Sequence, residues 1–335
     1  MSVIQIPEGY HPALSLYDTQ SAIEKIKRTF IEKLADALNL TRVTAPLFVE
    51  TGTGLNDNLN GTERAVAFDI PDAGTEAQVV HSLAKWKRMA LGKYGFSCGE
   101  GLYTDMNAIR RDEELSNIHS IYVDQWDWCK VIDEASRNKG YLKQTVQQIV
   151  DAVCDTLDEL KQAFPSIRTE LKREVQFITT QELADLYPDL SAKERERAYT
   201  KTHKTVFIME IGDRLTNGEK HDGRAPDYDD WKLNGDILFW NDVLEREFEV
   251  SSMGIRVDAQ SLREQLEKAG CEERAELPFH RALLAGELPL TMGGGIGQSR
   301  ICMLLLGKAH IGEVQVSIWD EKTRTACEKA GIALL

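Results

Sequence analysis

The sequence predicts an α+β domain built on an antiparallel sheet flanked by helices. Strand-like segments come in adjacent clusters, at 99–128 and 235–257, which suits hairpins; a parallel sheet would alternate single strands with helices. Helical stripes fill the ground between those clusters. No repeat, low-complexity tract or Gly/Ser linker divides the 335 residues, so a single catalytic-sized domain is expected.

In order along the chain, residues 19–38 set Ile23, Ile26, Phe30, Leu34 and Leu38 on one helical stripe. Residues 41–50 alternate Val43, Ala45, Leu47 and Val49 as a strand does, and Pro46 inside assigns it to an edge or a bulge. Ser82 is expected to cap a basic helix through Leu91. Residues 99–111, an acidic loop and residues 120–128 read as a hairpin with a long connection. A second long helix is expected over 142–164, on the stripe Val146, Ile149, Val150, Val153, Leu157, Leu160 and Phe164. Short strands are expected at 175–178 and 206–211, stronger ones at 235–240 and 248–257, and helices at 259–269 and 277–285.

Bulk properties exclude several classes. Net charge is −14 with no Lys/Arg-rich block, the reverse of what a large phosphate-contacting footprint needs, so no nucleic-acid partner is expected. Six scattered cysteines without a C-x-x-C pair read as reduced packing residues, and seven histidines without H-x-x-x-H spacing argue against structural zinc. No run approaches ~18 apolar residues, and residues 1–10 lack the basic start and apolar run of a secretion signal. A cytoplasmic protein without a membrane partner is expected.

The most informative stretch is 290–300, Leu-Thr-Met-Gly-Gly-Gly-Ile-Gly-Gln-Ser-Arg, a glycine run feeding an apolar helix with Arg300 at its entry. Glycines admit close backbone approach, a helix N-terminus offers free N–H groups, and arginine matches phosphate. No Lys-Ser/Thr follows, and Gln298 stands where G-x-G-x-x-G needs its third glycine, so neither the Walker nor the dinucleotide motif fits. Close packing of a helix on a sheet is the other reading of this run.

Arg110 and Arg256 likewise stand at strand ends or beside glycine, where a polyphosphate finds planar charged donors; surface ion pairing is the alternative for each. If strands 235–240 and 248–257 pair, Asp236, Glu249 and the Ser252 hydroxyl converge on one hard cation such as Mg²⁺; otherwise they form a solvated sheet end. The acidic run 227–231 suits a second cation, a capped turn or an amino-group binder.

Taken together, segments 55–61, 80–87, 99–104, 122–128, 225–231, 233–236, 251–256 and 293–300 resemble the asparagine synthetase A family of ammonia-dependent aspartate–ammonia ligases. That family shares its catalytic fold with class II aminoacyl-tRNA synthetases. The resemblance runs from about residue 20 to 320. In the class II framework, 43–49 around Pro46 is similar to the dimer-interface strand, 109–127 to the arginine-bearing hairpin, and 293–300 to the third motif. One departure stands out: Val123, beside Tyr122, takes the place where those synthetases commonly stack phenylalanine under adenine.

The resemblance implies ATP-driven conversion of L-aspartate and ammonia to L-asparagine through a β-aspartyl-adenylate, releasing AMP and pyrophosphate. It implies Arg110 on the α-phosphate, Arg300 on the distal phosphates and adenine, and Glu113 and Gly295 beside the nucleotide. Mg²⁺ would lie on Asp236, Glu249 and Ser252. Ser82, Lys87, Gln125, Ser251 and Arg256 would bind aspartate, with Asp127 or Asp227 on its ammonium, and Asp57 would receive ammonium and take its proton. A homodimer is expected. Two other classes stay open: a synthetase paralogue acting on tRNA or protein, against which the acidic charge speaks, and a non-catalytic regulatory subunit, whose signature of lost arginines or carboxylates is not seen.

Overall fold

The computed structural model describes residues 4–57 and 63–335; residues 58–61 of the segment 55–61 lie outside them. Its main sheet runs, in spatial order, β1 (Leu40–Arg42), β5 (Gly101–Ile109), β6 (Tyr122–Val131), β11 (Thr291–Gly297), β10 (Arg246–Arg256), β9 (Asp229–Asn241), β8 (Thr205–Met209) and β7 (Gln176–Thr179). A three-stranded sheet runs β2 (Phe48–Glu50), β4 (Thr75–Val79), β3 (Ala67–Ile70). From β5 to β8 every neighbour is antiparallel, as the clustering of strands predicts. The two edges depart from that expectation: β1 pairs with β5, and β7 with β8, in parallel.

Helix α1 (Leu16–Leu38) begins where the Ser15 side chain accepts from Asp18 N and ends at Asn39, whose φ of 57° terminates the helix. It lies beside α3 (Lys139–Ala163), capped by Asn138. Their apolar stripes join Trp126 and Trp128 of β6, Met253 of β10 and Ile296 of β11 in the principal core. Because side chains alternate along a strand, burying Trp126 and Trp128 turns Gln125 and Asp127 to the opposite face. That face carries α2 (Ala84–Tyr94) over one part of the sheet and the large cavity over another.

Two local expectations are corrected. Residues 41–50 form two strands in two different sheets, because the chain changes partner around Pro46: Val43 N bonds Tyr103 O, while Leu47 O accepts from Val80 N. Ser82 is not the α2 cap; Leu83 holds that position without a side-chain bond, and the Ser82 hydroxyl instead donates to Asp57. The glycine run is strand β11, hydrogen-bonded on both sides, and it passes directly into the expected apolar helix, α8 (Gln298–Leu305). The β3–β4 hairpin, α4 (Thr180–Leu186), α5 (Ala192–His203) and α9 (Glu321–Lys329) were not foreseen; β3 is mostly exposed and lacks an alternating apolar pattern. Helices α6 (Ala259–Ala269) and α7 (Pro278–Leu284) lie where expected, and no helix among the described residues is long and apolar enough to cross a membrane.

The glycines of β11 have a packing reason. A Cβ on Gly294 would lie 2.5 Å from Met253 Cβ and 2.8 Å from Ser252 O, neither of which can yield without moving β10. Gly294→Ala is expected to destabilise the fold by about 1–3 kcal/mol, the cost of overpacking a filled core. A urea midpoint equal to that of the parent protein would refute this account.

Candidate active site

Four consecutive strands build the floor of the cavity. Asp127 on β6, Gly295 on β11, Ser252 on β10 and Asp236 on β9 are register partners in one row. Glu249 joins them although it lies three residues from Ser252, a spacing that puts side chains on opposite faces of a regular strand. The β10–β9 register shifts between Glu249 and Ser251, and this bulge restores Glu249 to the face of Ser252. The Ser252 hydroxyl thus reaches Asp236 Oδ1 at 2.6 Å and Glu249 Oε1 at 3.3 Å. The expected convergence of these three residues is observed.

The missing side chain of Gly295 opens the middle of that floor. A Cβ there would sit 2.1 Å from Gln125 Oε1, and one on Gly293 would sit 2.8 Å from Arg256 Nη2. The glycines therefore make room for side chains of this chain as well as for a ligand. The N-terminus of α8, expected to face phosphate, is already committed: Ser299 N and Oγ both donate to Asp124.

A cavity of about 370 Å³ lies over this floor. It collects Asp57, Ser82, Arg110, Glu113, Gln125, Asp127, Asp236, Glu249, Ser251, Ser252, Arg256, Gly295 and Arg300, all singled out from the sequence. Arg110 follows β5 and is held by its backbone bond to Ile121; its buried Nε has no hydrogen-bond partner among the described residues. Arg300 donates to the Glu249 carbonyl at 2.8 Å and its guanidinium lies 3.7 Å from that residue's carboxylate. Val123 and Tyr122 both line the wall, as does His119, whose imidazole is pushed down to about 3 by burial and by Arg300. Burial raises the Glu113 carboxyl against the pull of Arg110 and Arg300. Ser251 borders the cavity, but its register partners Ile237 and Ile296 are core residues and its hydroxyl is buried without a partner among the described residues.

Asp57 is held from two directions. Its carboxylate accepts from Ser82 Oγ at 3.0 Å, and its carbonyl meets His81 Nδ1 at 3.0 Å. Asn56 pins the segment to the end of β4, accepting from Asp57 N and His81 N and donating to Val79 O.

Two expected residues lie outside the cavity lining. Lys87 is fully buried between α2 and the sheet, ion-paired to Asp127 and donating to Trp128 O at 2.9 Å and Gly294 O at 3.3 Å; burial pushes its ammonium down. Asp227 is enclosed by Lys85 at 3.1 Å, His280 at 2.9 Å and Arg274 at 3.5 Å. The rest of the acidic run is likewise paired, Asp229 with Arg256 and Asp230 with Arg137. Among the described residues no cluster of three or more His, Cys, Asp or Glu is placed to hold a metal.

Sequence reasoning missed Arg224. It donates to Asp236 Oδ1 at 2.6 Å and to Ser252 Oγ at 2.9 Å from the segment leading into β9. Burial, with Glu249 adding to it, lifts the Asp236 carboxyl to about 6 against the pull of Arg224. Glu249, despite the opposing effect of burial, is held below the usual carboxylate range by Arg300, Lys193 and Arg224. The cavity wall carries nine carboxylates and four arginines, a balance that favours a cation beside any polyphosphate entering it. Two carboxylates and a hydroxyl within reach of one another suit Mg²⁺, which completes its shell with phosphate and water.

This sheet, with its arginine-bearing hairpin and a glycine strand entering a helix, is the catalytic fold of class II aminoacyl-tRNA synthetases. Asparaginyl-tRNA synthetase of Pyrococcus horikoshii, solved with asparaginyl-adenylate, superposes with a TM-score of 0.65 at 18% identity, over 93% of this chain and 74% of that one. The Entamoeba histolytica asparaginyl-tRNA synthetase in complex with asparaginyl-adenylate gives 0.64 at 13% identity, over 90% of this chain and 66% of that one. The chain belongs to the aspartate–ammonia ligase family, whose pattern it matches over residues 17–331. Aspartate–ammonia ligases of Lactobacillus johnsonii and Clostridium tetani are 59% and 60% identical to it, over 98% of this chain and 99% and 97% of theirs.

The Lys87–Asp127 pair yields a stability prediction. Lys87→Met leaves Asp127 buried without its cation and is expected to cost about 3–5 kcal/mol, whereas Lys87→Met with Asp127→Asn recovers much of that loss. Equal chemical-denaturation midpoints for the single and double variants would show that the pair contributes nothing as a pair.

Proposed function

We propose that this protein joins ammonia to the side-chain carboxylate of L-aspartate at the expense of ATP, giving L-asparagine, AMP and pyrophosphate. The observation that carries the reading is one cavity holding an uncommitted arginine, a hard-oxygen set and a buried carboxylate, in a chain of the aspartate–ammonia ligase family. An aspartate carboxylate is a poor acylating group because oxide would have to leave. Its oxygen attacks the α-phosphorus of ATP, expelling pyrophosphate, and the β-aspartyl-adenylate then carries AMP as its leaving group. Ammonia attacks the acyl carbon, the C–O bond to AMP breaks, and the proton released from nitrogen passes to a base. The protein contributes position and charge compensation.

Arg110 is assigned to the α-phosphate, because its guanidinium faces the cavity without a hydrogen-bond partner at Nε. Arg300 is assigned to the distal phosphates and adenine, with Glu113 and Gly295 alongside. Asp236, Glu249 and Ser252 would hold Mg²⁺, which supplies charge neutralisation of phosphate oxygens. Gln125 and Arg256 are assigned to the substrate's carboxylates. Asp127, which lines the cavity, is assigned to the substrate's ammonium in preference to the enclosed Asp227, and Lys87 positions it from α2. Ser82 orients Asp57, the assigned acceptor of ammonium and its proton.

We read the described residues as one catalytic unit working in the cytoplasm. We also propose a homodimer, supported by exposed apolar side chains at Leu47, Phe48 and Phe68 beside Pro46, the rings of Phe48 and Phe68 lying 5.1 Å apart. Light scattering is expected to give twice the 37.7 kDa chain mass; an active species of one chain mass would overturn this.

Purified protein given ATP, aspartate and ammonium is expected to form asparagine and AMP in step; ADP and phosphate would contradict α-phosphorus attack. Asp57→Asn is expected to retain aspartate-dependent exchange of pyrophosphate into ATP while asparagine synthesis falls roughly 10²–10⁴-fold, the usual worth of a general base. Equal loss of exchange and synthesis would assign Asp57 to aspartate binding instead.

A further inference from the structure

The hard-oxygen set on the cavity floor already has an occupant, a cation supplied by the chain itself. Arg224 puts one guanidinium nitrogen on Asp236 Oδ1 and another on Ser252 Oγ, two of the three atoms assigned to the metal. Its side chain is 8% exposed and Asp236 15%, so this is an enclosed ion pair and not a surface contact. Its buried Nε has no partner among the described residues.

Mg²⁺ bonds oxygen at ~2.1 Å and demands the lone pairs that Arg224 now occupies. Guanidinium and metal therefore compete for the same oxygens. The chain on either side of Arg224 is fastened. Asp222 is ion-paired at 3.1 Å with Lys193 of α5, His221 Nε2 lies 2.9 Å from Glu196 Oε1 of the same helix, and Ala225 O accepts from Trp231 Nε1 at 3.3 Å. Displacement is thus a movement of the side chain, and a displaced guanidinium remains in a cavity whose other contents, in the working enzyme, include phosphates.

We propose that Arg224 is a built-in counter-ion that occupies the divalent-cation seat of the free enzyme, so that the metal enters with the nucleotide and not before it. The proposal rests on the assignment of Asp236, Glu249 and Ser252 as that seat. A metal arriving alone must expel Arg224 into an empty cavity, and its apparent affinity falls by the fraction of molecules in which the seat is open. A metal arriving with ATP leaves the expelled guanidinium beside phosphate oxygens, which match its planar donors. Metal and nucleotide binding are then coupled positively, and by linkage the coupling is mutual. Arg224 acts here as a positioning residue: it keeps Asp236 and Ser252 in place and sets the order of binding.

Mn²⁺, counted by the electron paramagnetic resonance of its free ion, reads this directly in the full chain. With the Mn²⁺ held by the analogue itself in a protein-free control subtracted, parent protein is expected to bind Mn²⁺ weakly alone and at least about tenfold more tightly with a non-hydrolysable ATP analogue, the lower end of what a charge-assisted hydrogen bond is worth. Arg224→Gln is expected to bind Mn²⁺ alone about ten- to a hundredfold more tightly than the parent, a gain that mere structural damage does not produce. Arg224→Lys, which keeps the charge, is expected to stay near the parent. Adding Asp236→Asn to Arg224→Gln is expected to abolish the gain.

If the parent binds Mn²⁺ equally well with and without nucleotide, the proposal fails, whatever the variants do. It fails also if Arg224→Gln gains nothing while Asp236→Asn still weakens Mn²⁺–nucleotide binding; the seat assignment then survives. Mn²⁺–nucleotide binding indifferent to Asp236→Asn would remove the seat assignment and the proposal together.

Discussion

Antiparallel pairing of β11 between β6 and β10 is the constraint on which the rest of the molecule depends. It brings Asp127 and Gly295 into one row with Ser252 and Asp236 of the β9–β10 hairpin, although they come from three separate parts of the chain. It also forces small residues at the centre. On the core face a side chain at 294 collides with Met253; on the cavity face one at 295 collides with Gln125. The same strand therefore has to be bare on both faces, for packing on one and for access on the other. Loss of side-chain contacts along β11 is offset by ladder hydrogen bonds on both edges and by the apolar helix α8 that follows it.

Buried charge is the second organising feature. Lys87 with Asp127, Arg256 with Asp229 and Lys85 with Asp227 are all nearly solvent-free pairs near or under the cavity. Such pairs contribute little net stability, since desolvation consumes most of their attraction. What they provide is orientation. Asp127 presents to the cavity while its other contacts, from Lys87 and from Leu83 N at 3.2 Å, fix its plane. A polar site in a low-dielectric wall keeps its geometry before substrate arrives and need not reorganise during reaction.

The sequence made legible those parts of the fold in which one periodicity governs a long segment. Helices α1 and α3 were readable because a single stripe, from Ile26 to Leu38 and from Val146 to Leu160, had one core to meet. The 41–50 segment misled because alternation is local, whereas the exchange of partner sheets around Pro46 is decided by Tyr103 and Val80, far along the chain. Ser82 likewise carries the composition of a cap, but the nearby Asp57 carboxylate draws its hydroxyl away. In the site, the glycine run, the arginines and the paired acids stood out as residue types. The bulge that turns Glu249 toward Ser252 did not, since nothing in Val250 announces an unpaired residue. Arg224 was invisible for a different reason: an arginine in a loop is ordinary until the carboxylate it serves is known.

The placement of Asp57 divides the proposed chemistry between two supports. The arginines proposed for phosphate and the hard-oxygen floor belong to the eight-stranded sheet, its hairpin and α8, whereas Asp57 follows β2 and is tied through Asn56 to the end of β4, in the three-stranded sheet. On the proposed assignments, activation of the acid and choice of the attacking nucleophile reside on two sheets joined by one small apolar cluster, in which Val49 and Val80 meet Met106 and Ala108. On those assignments, acceptor specificity is open to rebuilding, toward hydroxylamine or a small primary amine, in the segment after β2, while the Val49 contacts that hold the short sheet to β5 are kept.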